Sequence, residues 1–206
     1  MRLGLYGGTF DPIHYGHLLL AETCREQCKL DKVWFLPAAV PPHKQTRPIS
    51  PVEDRVEMVK LALGGQASME VSTIEIERGG VSYTVETLTQ ITALEPGVKL
   101  FFLMGADSLH DFHSWRQPER ICELAIPVVV RRADSPTVDI NVLKDIASPE
   151  RLDEIRNFQV EMPVIELSST EIRKRVRSGE SIRYRTPRAV ESFIETKQLY
   201  RESKIV

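Results

Sequence analysis

Two hydrophobic periods alternate along this chain. Short apolar runs at residues 3–6, 32–36, 98–104 and 126–130 are rich in β-branched, leucine and aromatic positions, as buried parallel strands are. Amphipathic stretches lie between them. Residues 16–29 read as a helix with Leu18, Leu19, Leu20 and Ala21 packing one side and Glu22, Arg25 and Glu26 facing water. Residues 52–63 read as a second helix, entered through Ser50-Pro51. Residues 69–76 read as a strand, Gly79-Gly80 as a turn and 84–94 as a helix. Residues 160–167 read as a last strand, broken by Pro163, and helices at 170–177 and 187–196 close the chain. The segment 137–156 gives no clear period. The proline-rich segment 37–44 excludes regular structure and reads as a surface loop. Strands alternating with helices predict an α/β fold with a doubly wound, mostly parallel sheet. A single domain over 1–206 is expected, its part from residue 168 on forming a small C-terminal helical extension.

Composition narrows the class. There are 206 residues, of which 42% are hydrophobic and 27% charged, so disorder is not expected. No apolar run reaches the roughly 18–20 residues of a membrane helix, and the first residues lack a secretory pattern. No membrane partner and a cytoplasmic location follow as expectations. The 27 Lys and Arg against 29 Asp and Glu leave a net charge of −2, which argues against a broad grip on nucleic acid. Cys24, Cys28 and Cys122 have no matching second pair, so packed, reduced thiols are expected rather than a zinc site. Nothing in the sequence fixes an oligomeric state, and a homo-oligomer is compatible with it.

The chemistry begins between the first strand and the first helix, in Gly7-Gly-Thr-Phe-Asp-Pro-Ile-His-Tyr-Gly-His17. Strand ends in open α/β sheets are where ligands bind. Gly7 and Gly8 let the backbone approach a phosphate, and the following helix start supplies N–H groups and a positive dipole end. His14 and His17, three apart, lie on one side of that first turn and can donate to one phosphate group. Fixed donors of this kind stabilise charge developing on an attacked α-phosphate and its leaving pyrophosphate without covalent chemistry. The string is not a lysine-containing phosphate loop, and no third zinc ligand lies beside the histidines.

A second helix start, Leu167-Ser-Ser-Thr-Glu-Ile-Arg173, has capping-box spacing from Ser168 to Glu171, with Ser169 or Thr170 as alternative caps. Arg173, in its first turn, can reach an anion held there. Gly105-Ala-Asp107 follows another strand, where Asp107 suits either ribose hydroxyls or a helix cap. Trp115, in His113-Ser114-Trp115-Arg116, suits either a core position or stacking on an aromatic ring. Tyr83-Thr84 stands at a helix start, and Lys44 is a cation on the proline-rich loop.

Gly7–His17 resembles the (H/T)xGH signature of the nucleotidyltransferase superfamily, and the fuller GGTFDPIHYGH resembles its bacterial nicotinate-mononucleotide adenylyltransferase branch. The similarity runs in order along nearly the whole chain. It implies a Rossmann-like fold, ATP and Mg²⁺, and nicotinate mononucleotide as acceptor. It implies catalytic roles for His14, His17 and Arg173, and ATP contacts at Gly7, Gly8, Thr9, Phe10, Gly105, Asp107, Arg132, Ser168, Ser169 and Thr170. It implies acceptor contacts at Lys44, Tyr83, Thr84 and Trp115, the tryptophan stacking on the nicotinate ring. Two positions depart from the family pattern. Arg116 stands where a tyrosine often follows that tryptophan, which leaves the strictness of acid over amide open. Ala133-Asp134 replaces a common Pro-Gly. Nicotinamide mononucleotide, another phosphate acceptor, and a nucleotide-binding module without turnover are the alternatives.

Overall fold

The computed structural model of the protein describes residues 1–41, 49–134 and 138–201. Six strands form one sheet: β1 (Arg2–Gly8), β2 (Lys32–Pro37), β3 (Met69–Val71), β4 (Lys99–Gly105), β5 (Ile126–Arg132) and β6 (Val160–Met162). Their order is β3-β2-β1-β4-β5-β6, and every pairing is parallel. This is the doubly wound Rossmann-like arrangement, with the strand order reversing between β1 and β4. The central strands carry side chains buried on both faces. Leu3, Leu5, Phe101, Ile126, Val128 and Val129 are all fully buried, which is why these segments lack polar alternation.

The helices are α1 (Tyr15–Gln27), α2 (Val52–Leu63), α3 (Ile74–Arg78), α4 (Thr84–Leu94), α5 (Ala106–His110), α6 (Pro118–Leu124), α7 (Pro149–Asn157), α8 (Ser169–Arg177) and α9 (Arg188–Thr196). The segment without a clear period resolves into a short 3₁₀ turn at Ile140–Leu143 and α7, which Ser148 caps by accepting from the Arg151 N–H. No helix among the described residues is long and apolar enough to cross a membrane.

Two expectations need correction. The strand expected over 69–76 ends at Val71, and residues 74–78 form α3. The Ile-Glu alternation imitates a strand, but Glu75 points inward to accept from Thr87 Oγ1 at 2.8 Å, and a helical turn delivers it there. The strand expected over 160–167 pairs only at Val160–Met162. Its partner β5 ends at Arg132, and Pro163 has no N–H to continue a ladder. The leucines of α1 pack against the core from half-buried positions, as expected. Ala21, Cys24 and the C-cap Cys28 are the buried positions, and His14 is buried with them. With His17 these residues make a stripe at spacings of three and four, so both imidazoles sit at the top of the core-facing side of α1.

Candidate active site

The loops leaving β1 and β4 open where the sheet order reverses, and the site is built there. Gly8 is required by close approach rather than by its backbone angles. A Cβ at this position would lie 2.8 Å from the Phe10 ring. Phe10 takes a left-handed backbone (φ 50°), uncommon for a bulky residue, and turns its ring into the core. There it meets Tyr6 and Phe35 and supports His17 edge-on at 5.2 Å. What Phe10 can offer a ligand is therefore its backbone. Gly16 has the same logic as Gly8: a Cβ would stand 3.0 Å from the His14 ring and 3.7 Å from Leu167 Cβ. A bulkier residue in the His-x-Gly-His string would push the first motif away from the second.

The two imidazoles are stacked, with centroids 3.7 Å apart and planes at 22°. The His14 N–H donates to His17 Nδ1 at 3.2 Å. That bond assigns the lone pair of His17 to Nδ1 and, in the neutral ring, its proton to Nε2. His14 is 5% exposed, and its Nδ1 is buried with no hydrogen-bond partner among the described residues. Burial lowers its pKa to about 4, so the ring is neutral at physiological pH.

This has a stability consequence. The unfolded chain takes up the His14 proton near pH 6.5, the folded protein only near 4. Between those values the unfolded state binds more protons, so stability is lost as pH falls through that window. The expected loss from this group is about 2 kcal/mol between pH 7 and pH 5. Urea unfolding of wild type and His14→Gln at both pH values checks it, since other titrating groups cancel in the difference. Identical pH dependence in the two proteins would remove His14 as the cause.

The C-terminal part of the chain wraps the segment 11–15. Ser169 Oγ donates to the Pro12 carbonyl at 2.9 Å, and Thr186 Oγ1 donates to that of Ile13 at 2.7 Å. The Tyr15 N–H donates to the Arg185 carbonyl at 3.1 Å, and the Tyr200 hydroxyl to Asp11 Oδ1 at 2.7 Å. Arg173 donates through one Nη to the Asp11 carbonyl at 2.7 Å and through the other to Thr170 Oγ1 at 3.3 Å. These bonds fix the plane of its guanidinium. Of the three possible caps of α8, Ser168 serves, its Oγ accepting from the Glu171 N–H at 3.1 Å. The start of α8, with Arg173 in its N-terminal half, is thus bonded to the segment that leads into the start of α1, where His14 and His17 stand. Asp107 lies exposed in the first turn of α5 behind Gly105, which occupies the N-cap position, so Asp107 is not the cap. Arg132 is exposed at the carboxyl end of β5, on the same edge of the sheet.

A pocket joins this edge to the other predicted residues. Gly7, Gly8 and Thr9 line it together with Tyr83, Thr84 and Trp115. Trp115 is half-buried, packed against Phe102 and Phe112. Thr84 is the first residue of α4, whose start has no side-chain cap. Lys44 lies outside the described residues.

Sequence reasoning gave no role to Asp11, Arg55, Glu75 or Tyr200. Arg55 is 1% exposed, and its guanidinium donates to four backbone carbonyls: Ser50, Thr9, Ala38 and Ala39. It ties the loop after β1 to the loop after β2. A signal was available, because Arg55 falls among Val52, Val56 and Val59 on the apolar side of α2, where a charge needs partners. Asp11 is 3% exposed and also accepts from the Ser50 N–H at 3.3 Å. Glu75 is buried in the pocket wall, and burial raises its pKa against the hydrogen bonds of Thr87 and Ser82. Nothing local in the sequence marks Tyr200.

Residues 5–175 match the cytidylyltransferase-like family. A probable nicotinate-nucleotide adenylyltransferase of Thermomicrobium roseum is 43% identical over 201 residues, covering 97% of this chain and 92% of the relative. One of Thermus thermophilus is 44% identical, covering 98% and 100%. The structure of Plasmodium falciparum nicotinic acid mononucleotide adenylyltransferase complexed with NaAD superposes with a TM-score of 0.77 at 18% identity, over 97% of each chain, a likeness of fold. The chain belongs to the nicotinate-nucleotide adenylyltransferase family of the cytidylyltransferase-like nucleotidyltransferases.

Proposed function

We propose that the protein transfers AMP from ATP to the phosphate of nicotinate mononucleotide, giving deamido-NAD and pyrophosphate in NAD biosynthesis. The observation that carries this reading is the shared wall. Gly7, Gly8 and Thr9 of the phosphate-approaching loop also line the pocket that holds Tyr83, Thr84 and Trp115. An acceptor seated against Trp115 would have its phosphate close to an ATP α-phosphate held at the start of α1. A phosphate oxygen of the acceptor then forms a bond to Pα as the bond from Pα to the bridging oxygen breaks, and pyrophosphate leaves with that oxygen. The acceptor phosphate is ionised at neutral pH, so no general base is required. The rate comes from alignment and from charge stabilisation.

In this reading ATP enters as its Mg²⁺ complex, with the cation held by phosphate oxygens and water. The neutral imidazole of His14 and the Nε2 side of His17 donate to the α-phosphate. Arg173, with Ser168, Ser169 and Thr170 at the start of α8, faces the β- and γ-phosphates. Gly105, Asp107 and Arg132 border the nucleoside. Lys44 is assigned to the acceptor phosphate. The expected result of mixing the protein with MgATP and nicotinate mononucleotide is equimolar pyrophosphate and a dinucleotide, read by coupled phosphate release and chromatography. Tight ATP binding with no pyrophosphate above a no-enzyme control would defeat the proposal.

A further inference from the structure

The mouth of the acceptor pocket carries a charge arrangement that the family motifs do not explain. Arg116 lines the pocket, and its guanidinium lies 4.7 Å from the centroid of the Tyr83 ring. Its Nη1 is 2.7 Å from Glu86 Oε1 in the first turn of α4. Glu86 is shared, since Arg78 Nε stands 3.8 Å from its other oxygen. Arg78 in turn donates to Thr87 Oγ1 at 3.0 Å and Gln90 Oε1 at 3.2 Å, which holds it against α4. Two guanidinium groups therefore face one carboxylate at this rim. Glu75, the acid of the pocket wall itself, is 6% exposed and accepts from Thr87 Oγ1 at 2.8 Å, so it is turned away from the rim into its own hydrogen bond. Arg116 thus stands at the pocket rim directly beside the start of α4, whose dipole adds positive potential there.

Such a rim favours an aromatic ligand bearing an anionic substituent. Stacking on Tyr83 and the bond to Glu86 give Arg116 a fixed orientation, and a planar guanidinium is suited to a carboxylate. We infer that the Arg116 side chain is a specificity-determining group that reads the charge of the substituent on the pyridine ring, favouring the ring carboxylate over a ring carboxamide. This rests on the proposed acceptor. It also changes the meaning of the departure at this position: the arginine strengthens discrimination.

The test compares kcat/KM for nicotinate and nicotinamide mononucleotides with saturating MgATP, in wild type and Arg116→Met. The methionine keeps an apolar stem over Tyr83 and removes the charge. The acid-to-amide ratio is expected to fall roughly tenfold, as the loss of one half-exposed charged hydrogen bond gives, with the change carried by KM of the acid. A ratio within about threefold of wild type, including a parallel loss for both substrates, would show that Arg116 shapes the pocket without reading charge, and would overturn the inference. Wild-type protein inert with both mononucleotides would instead overturn the functional reading beneath it.

Discussion

Replacing His17 with alanine is expected to lower kcat about a thousandfold, the range for removing a fixed donor to a developing charge. The donor is specified by its surroundings. The His14 N–H occupies Nδ1, which leaves Nε2 to carry the proton. Phe10 stands edge-on to the ring and His14 stacks against its face, so the ring has little freedom to turn. A donor fixed this way needs no reorganisation when charge shifts toward the bridging oxygen, which is where its advantage over water arises. The alanine also strips an acceptor from the His14 N–H, at a cost of about 1 kcal/mol. His17→Asn separates the two effects. Its side-chain oxygen can take the place of Nδ1, but it has no atom that reaches as far as Nε2. Stability close to wild type with kcat still depressed about a thousandfold is the expected pattern. Single-turnover rates within about tenfold of wild type for either variant would remove His17 from the chemistry.

The parts legible in the sequence share a physical trait. The central strands announce themselves because burial on both faces forces continuous apolar runs, as in residues 100–104 and 126–130. The two helix starts are legible because capping and anion binding use short fixed spacings, from His14 to His17 and from Ser168 to Glu171. That the second start is bonded to the segment leading into the first is not legible. This depends on bonds across more than 150 positions, such as Ser169 to Pro12 and Arg173 to Asp11. Short edge elements are poorly legible for a related reason. Around Ile74 and Ile76 the local alternation favours a strand, and the tertiary demand to bury Glu75 against Thr87 overrides it. The leucines of α1 mark one flank of its core-facing side, and the histidines of the motif extend the stripe of Ala21, Cys24 and Cys28, an extension that apolar periodicity alone does not show. In the structure that stripe is where core and site become continuous.

The same continuity makes Arg55 the position where a change far from any phosphate should be felt most. Arg55→Met is expected to destabilise the protein by about 4 kcal/mol, or to lower Tm by on the order of 10 °C. Methionine matches much of the volume, so a cavity is a minor part of that figure. The larger part is polar. The carbonyls of Thr9, Ala38, Ala39 and Ser50 now accept from one buried guanidinium, and without it they face an apolar side chain. Leaving buried carbonyls unpaired costs roughly 1–3 kcal/mol each when no water can enter. Arg55→Lys should recover little, because one ammonium offers three donors from a single point and cannot span carbonyls on two loops. The functional loss should follow the geometry. Thr9 and Ala38 both line the acceptor pocket, so releasing them blurs the junction between the two substrate positions. Below the melting transition, kcat/KM should therefore fall by about a hundredfold, since small misplacements of reacting groups cost that much. Urea unfolding together with steady-state kinetics on the folded variant measures both effects. Stability within about 1 kcal/mol of wild type would mean that water replaces the guanidinium at those four carbonyls, and that the two loops hold their places without it.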